Sequence, residues 1–180
     1  MNELILDMLE LSKYEVKAVR LKLETFPLME LIQSLVASFT GQMENKGIKL
    51  QLSVPGENEV YVKADPKRME QVILNMLSNA VRHADDNGII SIQVQPSNNS
   101  QVTVTIENTG RHITDEDLSL IWDHFYRAER ARDRKSGGTG LGLAIVKQIL
   151  LLHSSNFGVM NTERGVAFYF TLNESKGEYV

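Results

Sequence analysis

The sequence has no cysteine and no excess of positive charge. The missing thiols exclude disulfide frameworks, thiol nucleophiles and thiolate zinc sites. The net charge of −4 argues against a nucleic-acid-binding protein that relies on overall positive charge. No apolar run reaches the roughly 18 residues that span a bilayer. The longest candidate, residues 141–152, contains Lys147 and Gln148. The remaining balance, 42% hydrophobic and 23% charged residues, is that of one globular domain.

Residues 1–24 carry the spacing of an amphipathic helix. Leu4, Met8 and Leu11 recur at intervals of three and four residues, and the segment contains no Gly or Pro. Further apolar residues lie beside them, so more than one side of the predicted helix needs a partner. Two interpretations are open. The helix packs on its own domain, or it is part of a helical hairpin whose other helix is missing from this chain.

The rest of the chain mixes predicted strands and helices. Strands are predicted at 21–26, 48–54, 60–63, 89–94, 102–107, 157–160 and 166–172, the second and third flanking a Pro-Gly turn. Helices are predicted before 41–47, over 65–84 behind an Asp-Pro start, over 114–122 and over 140–153. Adjacent hairpins favour an α+β two-layer sandwich over a doubly wound parallel sheet. We therefore expect one layer of helices on one face of the sheet.

The glycine-rich stretch 137–143 leads directly into a predicted helix. Its backbone N–H groups and the helix N-terminus are therefore available to an anion, which predicts a phosphate cradle. No Gly-Lys-Ser/Thr follows, which excludes a Walker loop, and the charged loop before it argues against a Rossmann turn. A flexible loop with helix-capping glycines is the alternative.

Asn75 and Asn79 lie four residues apart on the polar face of the predicted helix 65–84. This spacing places one amide above the other. Magnesium bound to nucleotide phosphates takes only one or two protein oxygens, so a single Asn amide suffices as a ligand. A surface Asn pair without function is the alternative interpretation.

The order of four motifs resembles a known family. Residues 75–80 (Asn-Met-Leu-Ser-Asn-Ala), 108–110 (Asn-Thr-Gly), 125–127 (Phe-Tyr-Arg) and 138–142 (Gly-Thr-Gly-Leu-Gly) resemble the N box, first glycine box, F box and second glycine box of bacterial sensor histidine kinases. The resemblance implies the Bergerat fold of the GHKL superfamily, with a mixed, mostly antiparallel sheet. It implies a catalytic ATP-binding domain at 21–173 and a polar tail at 174–180. Residues 1–20 would be the end of the second helix of the dimerisation and phosphoacceptor domain, a stub of its helical hairpin.

The resemblance also assigns roles to single positions. It implies that Asn79 is the Mg²⁺ ligand, that Asn75 lies beside the phosphates, and that Arg127 reaches a phosphate from the base of an ATP lid at 128–136. Asn108 stands where the family has its adenine-binding Asp. The ATP-binding set implied in this way is Asn79, Arg82, His83, Asn108, Gly110, Gly138, Thr139, Gly140, Leu141 and Gly142.

The function implied is transfer of the ATP γ-phosphoryl group to a histidine on the absent dimerisation domain, for relay to an aspartate of a response regulator. The implied partners are ATP, the response regulator and the protein's own dimerisation domain in a homodimer, with no nucleic acid. The implied location is a cytoplasmic domain of a protein anchored in the bacterial membrane. None of the four histidines begins the family's acceptor motif, His-Glu/Asp-aliphatic-Lys/Arg.

Other functions stay open. In GHKL ATPases of the gyrase, mismatch-repair or chaperone type, a Glu four residues before the magnesium Asn activates water. Asn75 occupies that position here, and an amide cannot take a proton at neutral pH. An anti-sigma serine kinase is related, although the preceding helix argues against it. Asn108, and Ser155 where a glycine is usual, motivate a degenerate nucleotide-sensing or interaction module.

Overall fold

The computed structural model describes residues 3–15, 19–54, 56, 59–97, 100–126 and 139–175. The described helices are α1 (Glu3–Glu15), α2 (Leu28–Ala37), α3 (Thr40–Asn45), α4 (Pro66–His83), α5 (Asp115–Leu120) and α6 (Gly142–Leu152). The described strands are β1 (Glu24–Pro27), β2 (Lys49–Ser53), β3 (Tyr61–Ala64), β4 (Ile89–Ser97), β5 (Gln101–Thr109), β6 (Phe157–Asn161) and β7 (Gly165–Asn173). None of these helices is long and apolar enough to cross a membrane.

Within the described chain, five strands form the main sheet in the order β2-β4-β5-β7-β6. Strand β2 runs parallel to β4, and the other neighbours are antiparallel. Alternate residues of β5 are buried, from Val102 to Asn108, while the residues between them are partly exposed. This alternation is the mark of a sheet with helices on one face. The predicted fold class, a mostly antiparallel sheet with one helical layer, is confirmed.

A smaller sheet pairs β1 with β3, so the strands predicted around the Pro-Gly turn lie in different sheets. The beginning of the predicted tail joins this smaller sheet. Glu174 forms a β-bridge with Val62, and the N–H of Ser175 donates to the carbonyl of Tyr61 at 2.8 Å.

The helix predicted over residues 1–24 is wrong in length, because α1 ends at Glu15 and residues 19–23 are not helical. The backbone N–H of Lys22 donates instead to the Oδ2 atom of Asp65 at 2.9 Å, and β1 begins at Glu24. Contacts with the domain therefore override the helical spacing in this segment. Helix α6 also begins later than predicted, since Gly140 has a left-handed φ of 74° that a helix cannot contain.

Helix α4 begins as the sequence predicts. The carboxylate of Asp65 accepts a hydrogen bond from the N–H of Arg68 at 3.2 Å, and Pro66 occupies the first helical position. The buried residues of α4 are Met69, Val72, Ile73, Met76, Leu77, Ala80 and Val81. Burial of this apolar face fixes the rotation of the helix, so that its polar face turns away from the core.

A neutral histidine joins the start of α4 to the end of α6. The Nε2 atom of His153 accepts a hydrogen bond from the N–H of Asp65 at 3.1 Å. Its Nδ1 atom, 2.8 Å from the carbonyl of Ile149, is therefore the protonated nitrogen. Burial lowers the pKa of His153 below its ordinary value of 6.5, although the nearby Asp65 carboxylate acts in the opposite direction. Protonation of Nε2 would remove the acceptor that Asp65 uses.

This contact predicts a pH dependence of stability. Because the folded state holds His153 neutral, the unfolded chain binds more protons below about pH 6.5, and the free energy of unfolding falls as the pH falls through the lowered pKa. His153→Gln keeps a neutral acceptor that does not titrate. We expect the wild type to lose more stability than this variant between about pH 7 and pH 5, measured by urea unfolding. Parallel pH profiles of the two proteins would contradict the assignment.

Candidate functional site

The polar face of α4 carries a row of predicted site residues. Asn75, Asn79 and His83 follow one another at intervals of four, so the row extends about 12 Å along the helix axis. The two asparagines are half-buried, whereas Arg82 and His83 are exposed. The row therefore runs from the middle of α4 to its C-terminal end.

At the middle of α4, the row meets the N-terminus of α6. A Cβ atom on Gly142 would lie 3.4 Å from the Oδ1 atom of Asn75, so the glycine allows the two helices to approach closely at this point. Leu141 is buried and anchors the turn, and its N–H donates to the Oγ1 atom of Thr139 at 3.3 Å. The first N–H groups of α6 have no partner within the helix. These N–H groups are the ones that the predicted anion cradle would use, and we call this helix start the cradle.

Residues 122–126 contact the glycine turn at Gly140. The N–H of Phe125 donates to the carbonyl of Gly140 at 3.1 Å. A Cβ atom at Gly140 would lie 3.1 Å from the Cα atom of Phe125, which leaves little room for a side chain. Trp122 anchors this segment, since its ring packs edge-on against Phe157 and Phe168 at centroid distances of 5.1 and 5.8 Å.

At the C-terminal end of α4, the row meets the end of β5. Asn108 is only 2% exposed, and its Nδ2 atom donates to the carbonyl of Thr109 at 3.2 Å. Gly110 has a φ of 150°, and a Cβ atom there would lie 2.6 Å from the carbonyl oxygen of His83. The absence of a side chain at position 110 therefore lets the helix end and the strand end meet.

The structure places the predicted site residues in two groups, one at the middle of α4 and one at its C-terminal end, with Asn79 between them. Asn75 lies with Gly142 at the cradle, next to Thr139, Gly140 and Leu141, and His83 lies with Asn108 and Gly110 at the other end. Arg82 extends an exposed side chain from the same helix end. Arg127, Gly138 and the lid predicted at 128–136 lie outside the described residues.

Helix α1 packs on this domain through a partly buried polar cluster. The carboxylate of Glu10 lies 2.7 Å from the guanidinium of Arg68 and accepts from Nε2 of Gln71 at 2.6 Å. Tyr14 is buried beneath Arg68, whose guanidinium carbon lies 5.2 Å from the ring centroid. Burial, together with the neighbouring Glu10 carboxylate, raises the pKa of the Tyr14 phenol. The phenol is therefore neutral and serves as a hydrogen-bond donor.

The same helix reaches the cradle itself. The hydroxyl of Thr139 donates to the Oδ2 atom of Asp7 at 3.1 Å. The opposite side of α1 is apolar and more than 45% exposed at each of Ile5, Leu6, Met8 and Leu9. Helix α1 thus packs on its own domain, as one interpretation predicts, and still leaves an apolar side uncovered. Its contacts with the site were not visible in the sequence pattern.

The residues on α4 fit a metal ion that arrives with a nucleotide. Among the described residues, no group of three or more His, Asp or Glu side chains is placed to hold a metal ion alone. The available donors are the neutral amide oxygens of Asn75 and Asn79. Magnesium accepts one or two such oxygens when phosphates and water complete its coordination. The donor set therefore suits magnesium bound to a phosphate chain.

The chain belongs to the histidine kinase-, DNA gyrase B- and HSP90-like ATPase family, whose model matches residues 64–176. It is 32% identical over 171 residues to the sensor histidine kinase MtrB of Mycolicibacterium paratuberculosis, covering 95% of this chain and 30% of that protein. The catalytic domain of the histidine kinase ThkA has a TM-score of 0.76 at 29% identity, over 85% of this chain and 96% of that chain.

Two further solved structures bear on the fold. Full-length ShkA in complex with AMPPNP has a TM-score of 0.84 at 22% identity, over 98% of this chain and 36% of that chain, which shows the fold alone. ThkA in complex with the response regulator TrrA has a TM-score of 0.73 at 27% identity, over 94% of this chain and 48% of that chain. The family expected from the four motifs is confirmed. The chain spans about a third of the length of the sensor histidine kinases that it matches, such as 30% of MtrB.

Gly110 offers a direct test of the meeting between α4 and β5. In Gly110→Ala the Cβ atom would lie 2.6 Å from the carbonyl oxygen of His83, and φ is 150° there. We expect a loss of about 1–3 kcal/mol in unfolding free energy, together with weaker nucleotide binding. Gly41→Ala is the matched control, because nothing lies within 4 Å of its Cβ and Ala favours the α3 helix. Equal stability of both variants in urea unfolding would contradict the geometry.

Proposed function

We propose that this chain binds Mg–ATP between α4, β5 and α6 and donates the γ-phosphoryl group to a histidine on a dimerisation domain outside it. The observation that carries the proposal is the cradle, where Asn75 lies against Gly142 at the N-terminus of α6. A helix N-terminus and an amide side chain together suit a phosphate chain with its metal ion. Membership of the histidine kinase-like ATPase family supports the nucleotide assignment.

Each residue contributes binding or orientation. The N–H groups at the start of α6 would hold phosphate oxygens, and Asn79 would supply a ligand to magnesium, which neutralises phosphate charge when bound. Asn108 would accept a hydrogen bond from the adenine amino group, and Arg82 and His83 would approach the sugar and phosphates. Arg127 and Gly138 would add a guanidinium and a further backbone N–H. Phosphoryl transfer asks a protein mainly for such positioning and charge neutralisation.

The identity of residue 75 favours a kinase over an ATP hydrolase. An Asn amide cannot take a proton from water at neutral pH, so Asn75 supplies no general base. Relatives such as MtrB are sensor histidine kinases, which supports the same choice. The acceptor would be a histidine outside this chain, since none of the four histidines here has the acceptor motif. ThkA has been solved with a response regulator, which supports relay to an aspartate of such a partner.

Residues 1–20 would be the end of the second helix of the dimerisation domain, followed by the catalytic domain at 21–173. The exposed apolar side of α1 supports this division, because a dimerisation hairpin buries such a side against other helices. The whole protein would be a homodimer anchored in the bacterial membrane, with this domain in the cytoplasm. A degenerate nucleotide-sensing module is the second candidate, and Asn108 in place of Asp is the observation that favours it.

Magnesium-dependent ATP binding tests the assignment of Asn79. We expect the wild type to bind ATP more tightly with Mg²⁺ than with EDTA in isothermal titration calorimetry. In Asn79→Ala, most of that difference should disappear, because the protein ligand to the ion is removed. Asn45→Ala is the control, since Asn45 is an exposed residue at the end of α3. Absence of any adenine-nucleotide binding by the wild type would overturn the proposed function.

Phosphoryl transfer separates the kinase from the two alternatives. The chain should label a separately supplied dimerisation domain with phosphate from γ-labelled ATP, and that label should be lost when the acceptor histidine is replaced by Gln. An ATP hydrolase would instead release phosphate over many turnovers without an acceptor. A degenerate module would bind nucleotide but would transfer no phosphate to the dimerisation domain, and Asn108→Asp would not restore that transfer.

A further inference from the structure

Lys46 closes the C-terminal end of α4 from a distant part of the chain. Its ammonium group donates to the carbonyls of Val81 at 3.0 Å, Arg82 at 3.3 Å and Ala84 at 2.7 Å. An ammonium group has three donors, so this arrangement uses all of them. The last carbonyls of a helix have no partner within it, and a glycine usually helps to satisfy them. Here Ala84 follows the helix with extended backbone, and Lys46 performs the capping instead.

Lys46 also holds the loop that leaves α4. Its own carbonyl accepts from the N–H of Asn87 at 2.7 Å, while its ammonium group holds Ala84. One residue therefore fixes both ends of the loop from Ala84 to Asn87. Asp85 lies between these two attachment points, so the hydrogen bonds of Lys46 to Ala84 and Asn87 also position the N–H group of Asp85.

The loop in turn holds the carbonyl that orients Asn108. The N–H of Asp85 donates to the carbonyl of Thr109 at 3.1 Å, and Nδ2 of Asn108 donates to the same carbonyl at 3.2 Å. The N–H of Ile89, the first residue of β4, donates to Oγ1 of Thr109 at 2.9 Å, so the strand that follows the loop binds the same residue. Hydrogen bonds thus connect Lys46, the loop, Thr109 and the amide of Asn108 in sequence.

The orientation of this amide decides its chemistry. An Asn amide presents a donor on one side and an acceptor on the other, unlike the carboxylate of an Asp, which only accepts. With Nδ2 bound to Thr109, Oδ1 is left as the acceptor. Among the described residues, the side chain of Asn108 makes its hydrogen bond through Nδ2, and no donor to its Oδ1 atom is observed. No side-chain nitrogen or oxygen of these residues is both buried and without a partner. The Oδ1 atom therefore keeps some exposed surface, although Asn108 as a whole is only 2% exposed.

We propose that Lys46 is a specificity-determining positioning residue, which through Thr109 keeps the Asn108 amide in the orientation that accepts from a 6-aminopurine and rejects a 6-oxopurine. The inference rests on the proposed function, in which Asn108 faces the nucleotide base. If the cap is lost, the loop and the Thr109 carbonyl shift, and the amide becomes free to turn its Nδ2 atom to the base. Discrimination between the two classes of purine then falls.

The test compares ATP with inosine triphosphate, whose purine carries a 6-oxo group in place of the 6-amino group of ATP. Isothermal titration calorimetry gives the Kd of each ligand for the wild type, for Lys46→Met and for the control Lys49→Met. Lys49 is exposed on β2, and its replacement makes the same chemical change three residues away. We expect Lys46→Met to lower the ratio of the Kd for inosine triphosphate to the Kd for ATP about fivefold or more, which is the effect of one oriented hydrogen bond. The control should keep the wild-type ratio.

A merely structural role for Lys46 would weaken both ligands equally and leave the ratio unchanged, as would a general effect of its charge on the phosphates. Either result would overturn the proposal. Lys46→Arg serves if the Met variant does not fold, because a planar guanidinium keeps the charge but cannot reproduce an ammonium group shared by three carbonyls. It should also lower the ratio, and a wild-type ratio in the Arg variant would contradict the proposal. Failure of the wild type to bind either nucleotide would instead count against the proposed function.

Discussion

The placement of α4 is the constraint on which the site depends, and it is set by hydrogen bonds at both ends of the helix. At the N-terminus, Asp65 caps α4 with its side chain and donates its own N–H to His153 at 3.1 Å. At the C-terminus, Lys46 binds the last carbonyls. Between these ends, the buried apolar face fixes the rotation of the helix. These contacts together define the position of the row of Asn75, Asn79 and His83 relative to β5 and α6.

Glycines at two points allow neighbouring elements to approach the helix that is placed in this way. Gly142 lets the start of α6 approach Asn75, and Gly110 lets the end of β5 approach His83. A side chain at either position would separate the elements that it joins. The proposed phosphate end and the proposed base end therefore share one feature, which is close backbone approach to a helix that is fixed elsewhere.

Local patterns predicted much of this arrangement, and contacts between distant residues account for the rest. The Asp-Pro start of α4, its polar face and the glycine turn before α6 are short-range signals, and each is observed. The cap of Lys46 on Ala84 spans 38 residues, and the contact of His153 with Asp65 spans 88. No periodicity or spacing records such pairs. The non-helical backbone of residues 19–23 has the same origin, because Lys22 binds Asp65 where the sequence alone favours more helix.

Asn108 shows how a change of residue type alters what the surrounding structure must do. A carboxylate at this position would accept hydrogen bonds from either oxygen, so its orientation would matter little to the base. An amide accepts from one side only, and it also lacks the charge that makes such bonds about twice as strong. In the proposed function, base selectivity then depends on the groups that orient the amide, which are the Thr109 carbonyl and the loop that Lys46 binds. We therefore expect this departure from the family pattern to make part of the base specificity depend on residues that do not touch the ligand.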